Sequence, residues 1–139
     1  MAGLGGTKTL ENLKAAFANE AQDNRRCLFF ARQAAAEGYV GLAELFREVA
    51  DANTSYAEGF YEHLKQAGDA VTGVGGLDSS QNLQVLTASR EHASAVVYPQ
   101  MAEMARQEGL VEVAKWFEYV AGLCSRDTRR LRLELQSMG

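Results

Sequence analysis

The sequence predicts an all-α fold, a four-helix bundle built from two repeated antiparallel helical hairpins. Three observations predict it. A single proline, Pro99, stands in 139 residues, and Ala, Leu, Glu, Arg and Gln are abundant; these are good helix formers. Apolar side chains recur three and four apart along four long stretches. The second half of the chain also echoes the first. The expected organisation is one domain, 1–139, with a hairpin over 10–66, a connection over 67–79 and a hairpin over 80–135.

The first helix is expected after Thr9, a candidate N-cap, and runs to about Gly38. Its inward stripe is Leu10, Leu13, Phe17, Glu20, Asn24, Cys27 and Ala31. The second runs from about Val40 to Gln66, with Leu42, Phe46, Val49, Asn53, Tyr56, Phe60 and His63 inward. A Gly-rich connection, AGDAVTGVGGLDS, follows from Ala67 to Ser79. The third helix runs from about Ser80 to Gln107, with Leu83, Leu86, Arg90, Ala93, Val97, Gln100 and Met104 inward. Pro99 lies inside it, so a kink is expected there. The fourth runs from about Leu110 to Leu135, with Val113, Phe117, Val120, Cys124, Asp127 and Leu131 inward. Gly38 and Gly109 stand where a left-handed residue closes a helix. The short turns beside them make two antiparallel pairs.

The internal repeat is specific. ENLKAAFANEAQ from Glu11 echoes QNLQVLTASREH from Gln81, and EGYVGLAELFREVADANTSY from Glu37 echoes EGLVEVAKWFEYVAGLCSRD from Glu108. A duplicated hairpin predicts a pseudo-two-fold bundle. The repeat pairs Glu20 with Arg90, Asn53 with Cys124 and Tyr56 with Asp127. All six are polar, near mid-helix and on an inward stripe. At about 1.5 Å rise per residue they are expected to form one central polar layer, the level at which such bundles build metal sites.

Other chemistries find little support. Net charge is −4, and with no basic stripe nucleic acid is not an expected partner. Arg126, Arg129, Arg130 and Arg132 read as a solvated last turn suited to a helix C-terminus. No secretory leader or membrane span is expected, which makes the cytoplasm the expected location, with reduced thiols. Cys27 and Cys124 form no CxxC, and Cys27 lies two turns, about 11 Å, beyond the level of Glu20, too far for a bridge to Cys124. Cys124 reads first as a small buried hydrophobe. His63 and His92 carry no metal-binding spacing. Phe17, Phe46, Phe60, Trp116, Phe117 and Tyr119 read as core or dimer packing. The Gly73–Gly76 run follows no strand and holds no lysine, so it is a connection and not a phosphate loop.

The stretches ENLKAAFANEAQDNRR, FARQAAAEGYVGLAELFREVAD and YPQMAEMARQEGLVEVAKWFEYVA resemble the ferritin-like domain of the rubrerythrin family. The resemblance runs from about Thr9 to Leu135. It implies a di-iron carboxylate centre used to reduce hydrogen peroxide. The family takes a Glu from the first helix, Glu-x-x-His from the second, two Glu from the third and Glu-x-x-His or a similar pair from the fourth. Carried onto this sequence, the first-helix Glu is Glu20, but the second-helix pair falls on Asn53 and Tyr56. The third-helix pair falls on Arg90 and Ala93, the fourth-helix pair on Cys124 and Asp127. A tyrosine that often neighbours the iron falls on Cys27. No Cys-rich rubredoxin-like segment is expected within these 139 residues.

The vestigial layer is therefore Glu20, Asn53, Tyr56, Arg90, Ala93, Cys124 and Asp127. It offers two carboxylates against one fixed guanidinium. A cation in that layer repels iron. Arg90 is expected to replace the metal charge, paired with Glu20, Asp127 or both, while Asn53 and Tyr56 complete the hydrogen bonds. No metal or other cofactor is then expected. The function expected is non-redox binding, scaffolding or regulation, exercised as a homodimer on a partner protein the sequence does not name. A first alternative is an oxidoreductase of peroxidase type with a rebuilt site, holding iron or another divalent metal or using Cys124, with Tyr56 assisting. A second is small-ligand binding in the vacated mid-bundle space. Thirteen connecting residues reach about 43 Å at full stretch, taut against helices of this length. Either an extended crossover or hairpins exchanged between two chains is expected.

Overall fold

The computed structural model describes residues 3–67 and 78–138. They form helix α1 (Lys8–Ala36), α2 (Val40–Leu64), a 3₁₀ turn (Lys65–Ala67), α3 (Ser79–His92), a π-helical segment (Ala93–Val97), α4 (Tyr98–Gln107) and α5 (Val111–Met138). The chain divides into two compact units at Ala67/Gly68. Each is an antiparallel helical hairpin: α1 against α2, and the α3–π–α4 rod against α5. No helix among the described residues is long and apolar enough to cross a membrane. Most of the Ala67–Ser79 connection lies outside the described residues.

The helix ends follow local chemistry. Thr7, not Thr9, is the N-cap of α1: its hydroxyl accepts from the Leu10 N–H at 3.1 Å. Its backbone is extended, as a cap requires, whereas Thr9 is already helical. Asp78 and Gln81 cap α3 reciprocally, side chain to backbone in both directions. Both hairpin turns are closed alike. Gly38 and Gly109 have φ of 88° and 79°, and their N–H groups reach Ala35 and Arg106 carbonyls, while the next N–H reaches Ala34 and Ala105. That is the Schellman pattern, which glycine enters without a Cβ penalty.

The π segment accounts for two features of the sequence. The Tyr98 N–H bonds the Ala93 carbonyl, five residues back. Pro99 follows at once, and its ring cannot accept a regular α-helical neighbour four residues before it. The wider turn falls where the sequence places a kink. It also absorbs one extra residue. Before it, repeat partners lie seventy apart, as Glu20 and Arg90 do. After it they lie seventy-one apart, and buried Ala31 and Ala34 recur as buried Ala102 and Ala105.

The inward stripes hold at Ala31, Asn53, Ala93 and Cys124, which are buried, and elsewhere the buried residue is often the neighbour of the expected one. The hairpin seams bury alanine: Ala43 and Ala50 on α2, Ala114 on α5 at 0% exposure, and Ala102 and Ala105 on α4. Their larger neighbours Leu42, Val49, Tyr56, Val113 and Met104 are exposed, with Val49 at 42%, and so are Gln100, His63 and Asp127. A pair of helices approaches closely only where side chains are small, so alanine takes the seam and bulk is left on its flank. On α4 the π turn adds to this by rotating the face one residue relative to even α-helical spacing. Trp116, expected in a core or interface, is 64% exposed and packs on Tyr119 with centroids 5.6 Å apart. Phe17 meets Tyr61, Phe30 meets Phe46, and Tyr98 stacks on Phe117 within their hairpins.

Candidate functional site

The central polar positions are occupied by two cross-helix pairs, one in each hairpin. In the first, α1 presents Glu20 and α2 presents Asn53, and the Asn53 amide donates to Glu20 Oε2 at 2.7 Å. Asn53 is 6% exposed. A carboxylate only accepts, so the amide nitrogen must face it. The amide oxygen is buried and has no partner among the described residues. One turn further along α1, Asn24 donates to the Ala50 carbonyl at 2.8 Å and to Thr54 Oγ1 at 3.0 Å. This strap ties α1 to α2 beside the Glu20 pair. Sequence reading placed Asn24 on the inward stripe without giving it this role.

In the second hairpin the repeat-equivalent residues meet in the same way. Arg90 on α3 donates through a terminal nitrogen to Cys124 Sγ on α5 at 3.4 Å. Cys124 is buried, at 3% exposure. Arg90 Nε is buried and has no partner among the described residues. Thr128, buried one turn on, donates to the Cys124 carbonyl at 2.8 Å. Glu91 and Arg132 form an ion pair across α3 and α5.

Among the described residues the expected ion pair between Arg90 and Asp127 is not formed. Arg90 and Asp127 line one open groove of about 360 Å³ with Leu86, Arg130, Leu131 and Glu134. Asp127 has turned to the solvent-facing flank because Thr128, not Asp127, enters the seam. Tyr56, expected to complete the hydrogen bonds, is 57% exposed and lines a groove of about 380 Å³ with Glu20, Gly59, Phe60 and His63. Ala93 is buried as the first residue of the π segment. Cys27 is half-buried, and both cysteines are free thiols. His63 and His92 are exposed at the ends of α2 and α3. Among the described residues no three His, Cys, Asp or Glu side chains are grouped to hold an ion.

Comparison with known proteins fits this architecture. The rubrerythrin family model matches residues 11–122. Rubrerythrin of Clostridium perfringens is 35% identical over 129 residues, covering 87% of this chain and 66% of that protein. Rubrerythrin of Nitratidesulfovibrio vulgaris is 33% identical over 126 residues, covering 87% and 65%. Rubrerythrin-1 of Clostridium acetobutylicum is 30% identical over 146 residues, covering 99% and 75%. The chain thus spans just under two thirds of the length of the first two. With its two repeated helical hairpins and these relatives, the chain belongs to the rubrerythrin family and to the all-α, ferritin-like four-helix bundle class.

Proposed function

We propose that this chain is a rubrerythrin-family protein without a di-iron centre, serving a non-redox binding, scaffolding or regulatory role. One observation carries the reading: at the repeat-equivalent central positions, hydrogen-bond donors stand where a metal needs acceptors. The Asn53 amide caps Glu20 at 2.7 Å. Arg90 holds the matching place in the second hairpin, against the Cys124 sulfur. A guanidinium keeps its proton at any physiological pH and repels a second cation. The residues present do not fit a pair of irons, and no reaction step is drawn through one. The test is metal analysis of protein purified from iron-supplemented cells. Substoichiometric traces are expected; near-stoichiometric iron or manganese overturns the reading.

A second reading has one observation in its favour. The Arg90 guanidinium lies 3.4 Å from Cys124 Sγ, a polar contact to a thiol that peroxidase-type chemistry could use. Burial of Cys124 at 3% exposure argues against a peroxide reaching it. Cys124→Ala is expected to leave peroxide turnover at background; a loss of measurable turnover in that variant would favour the thiol enzyme. Small-ligand binding has less behind it, because the grooves beside Glu20 and Arg90 are open and bury little of a guest.

A further inference from the structure

The first hairpin carries a second groove between α1 and α2, of about 470 Å³, which shares no lining residue with the groove of Glu20 and Tyr56. Phe17 and Asn24 line it from α1, and Asn53, Thr54, Glu58 and Tyr61 from α2. In the second hairpin the chain itself fills the matching place. There the repeat partners of Ala21 and Tyr61 are Glu91 and Arg132, which form an ion pair across α3 and α5. We infer that the first-hairpin groove receives from outside what the second hairpin supplies for itself, a guanidinium, and that its source is an arginine side chain of a partner protein.

Hydrogen-bond accounting leaves this groove with acceptors. The Asn24 amide nitrogen already serves the Ala50 carbonyl and Thr54 Oγ1. The Thr54 hydroxyl donates its proton to the Ala50 carbonyl. The Asn53 nitrogen is turned to Glu20, which lines the other groove. Its oxygen is therefore the end of the amide left over, buried and with no partner among the described residues. Such an acceptor is costly until a donor reaches it. Glu58 and Glu62 add two carboxylates. Lys65 holds one oxygen of Glu62, and Glu58 forms no ion pair among the described residues. Arg25, exposed on the same groove, is the chain's own competitor for them.

A guanidinium matches that set. It carries five N–H donors and accepts nothing. Its plane lies well on an aromatic face, and Phe17 and Tyr61 offer two, with centroids 5.7 Å apart. Ala21 and Ala57 are small and leave room for the aliphatic stem. An ammonium is a compact, strongly hydrated point charge that lacks both fork and face, and an anion finds only Arg25. The groove is open, so a free small cation buries little in it. On a partner protein, the rest of the docked surface offsets the cost of association. The inference rests on the binding role proposed above and gives it a partner chemistry. Metal analysis and the titration below fail independently of each other.

The test is titration of the full-length chain with a capped alanine peptide holding one central arginine, followed by NMR of the amide nitrogens. Saturable shifts are expected at the side-chain amides of Asn24 and Asn53. The same peptide with citrulline, equal in shape and uncharged, is expected to bind about tenfold or more weakly. Methylguanidinium, the head without the stem, is expected to bind several-fold more weakly than the arginine peptide. Arg25→Gln is expected to tighten binding. The double variant Ala21→Glu, Tyr61→Arg fills the groove with the second hairpin's own pair and is expected to abolish the shifts. Where circular dichroism shows that variant unfolded, Glu58→Gln, at an exposed position, is expected to weaken binding. No saturable shift, a citrulline peptide bound as tightly, or undiminished binding in the filled and Glu58→Gln variants overturns the inference. Methylguanidinium bound as tightly as the peptide overturns the partner and assigns the groove to a free small cation.

Discussion

The two hairpins share a seam and differ in what it encloses. Both use buried alanines and the same glycine-closed turn. At mid-seam, however, one joins a carboxylate to an amide and the other a guanidinium to a thiol. Their opposite flanks differ too. Phe17 and Tyr61 pair as rings in the first hairpin; the second has buried Thr87 and the Glu91–Arg132 ion pair at or beside the matching places. The seam admits only small residues because any added volume forces the helices apart. The polar positions tolerate exchange because each needs only a partner across the seam, and the partner has changed with it. Shape has been kept where packing demands it, and chemistry has changed where a hydrogen bond can follow.

The sharpest way to break the comparison is to remove the feature found in one rod only. Deleting Ala95 should convert the π turn to α-helix and leave Pro99 inside a regular helix, at a cost of about 3 kcal/mol. Adding Pro99→Leu, the residue that Leu28 supplies at the matching place in α1, should recover most of it. Chemical denaturation of the two variants decides; equal stability would mean that the π segment does not serve the proline.

Next in size is the shared seam. Ala43→Leu and Ala114→Leu should each destabilise by about 1–3 kcal/mol through overpacking, and by similar amounts. A thermal scan that moves for one and not the other would show that the two seams are not equivalent.

The smallest effect separates the central pairs. Asn53→Ala removes a hydrogen bond to a carboxylate and should cost about 1.5 kcal/mol. Cys124→Ala should cost less, about 1 kcal/mol or under, because a thiol is a weak acceptor. Paired denaturation curves check the order, and a reversal would place the stronger contact in the Arg90 hairpin.

Much of this was legible before the structure. The helix ends at Gly38 and Gly109, the hairpin pairing and the correspondence of Glu20 with Arg90 and Asn53 with Cys124 all follow from spacing and turn chemistry. The side of each helix that enters the seam did not. Apolar periodicity favours Leu42, Val49 and Val113, yet Ala43, Ala50 and Ala114 are buried, because helix–helix distance and not hydropathy selects the seam. Of the two carboxylates expected beside Arg90, Asp127 shares its hairpin and does not pair with it among the described residues. Asp127 carries the better charge, but Thr128 enters the seam in its place, and the sulfur of Cys124 is what lies within reach. The N-cap fell on Thr7 because both threonines suit the sequence pattern and only backbone geometry distinguishes them.

By itself the sequence determined that the chain is helical, that it is a duplicated hairpin and that its central level is polar. Those are local matters: residue propensity, the three-and-four spacing of apolar side chains and a glycine free to take positive φ. The tertiary structure decided which residue of each adjacent pair is buried, that the extra residue beside Pro99 is taken up as a π turn, and that each hairpin forms its own donor–acceptor pair. Those depend on the distance between two helix axes and on where a side chain of fixed length ends, quantities that no window of the sequence contains.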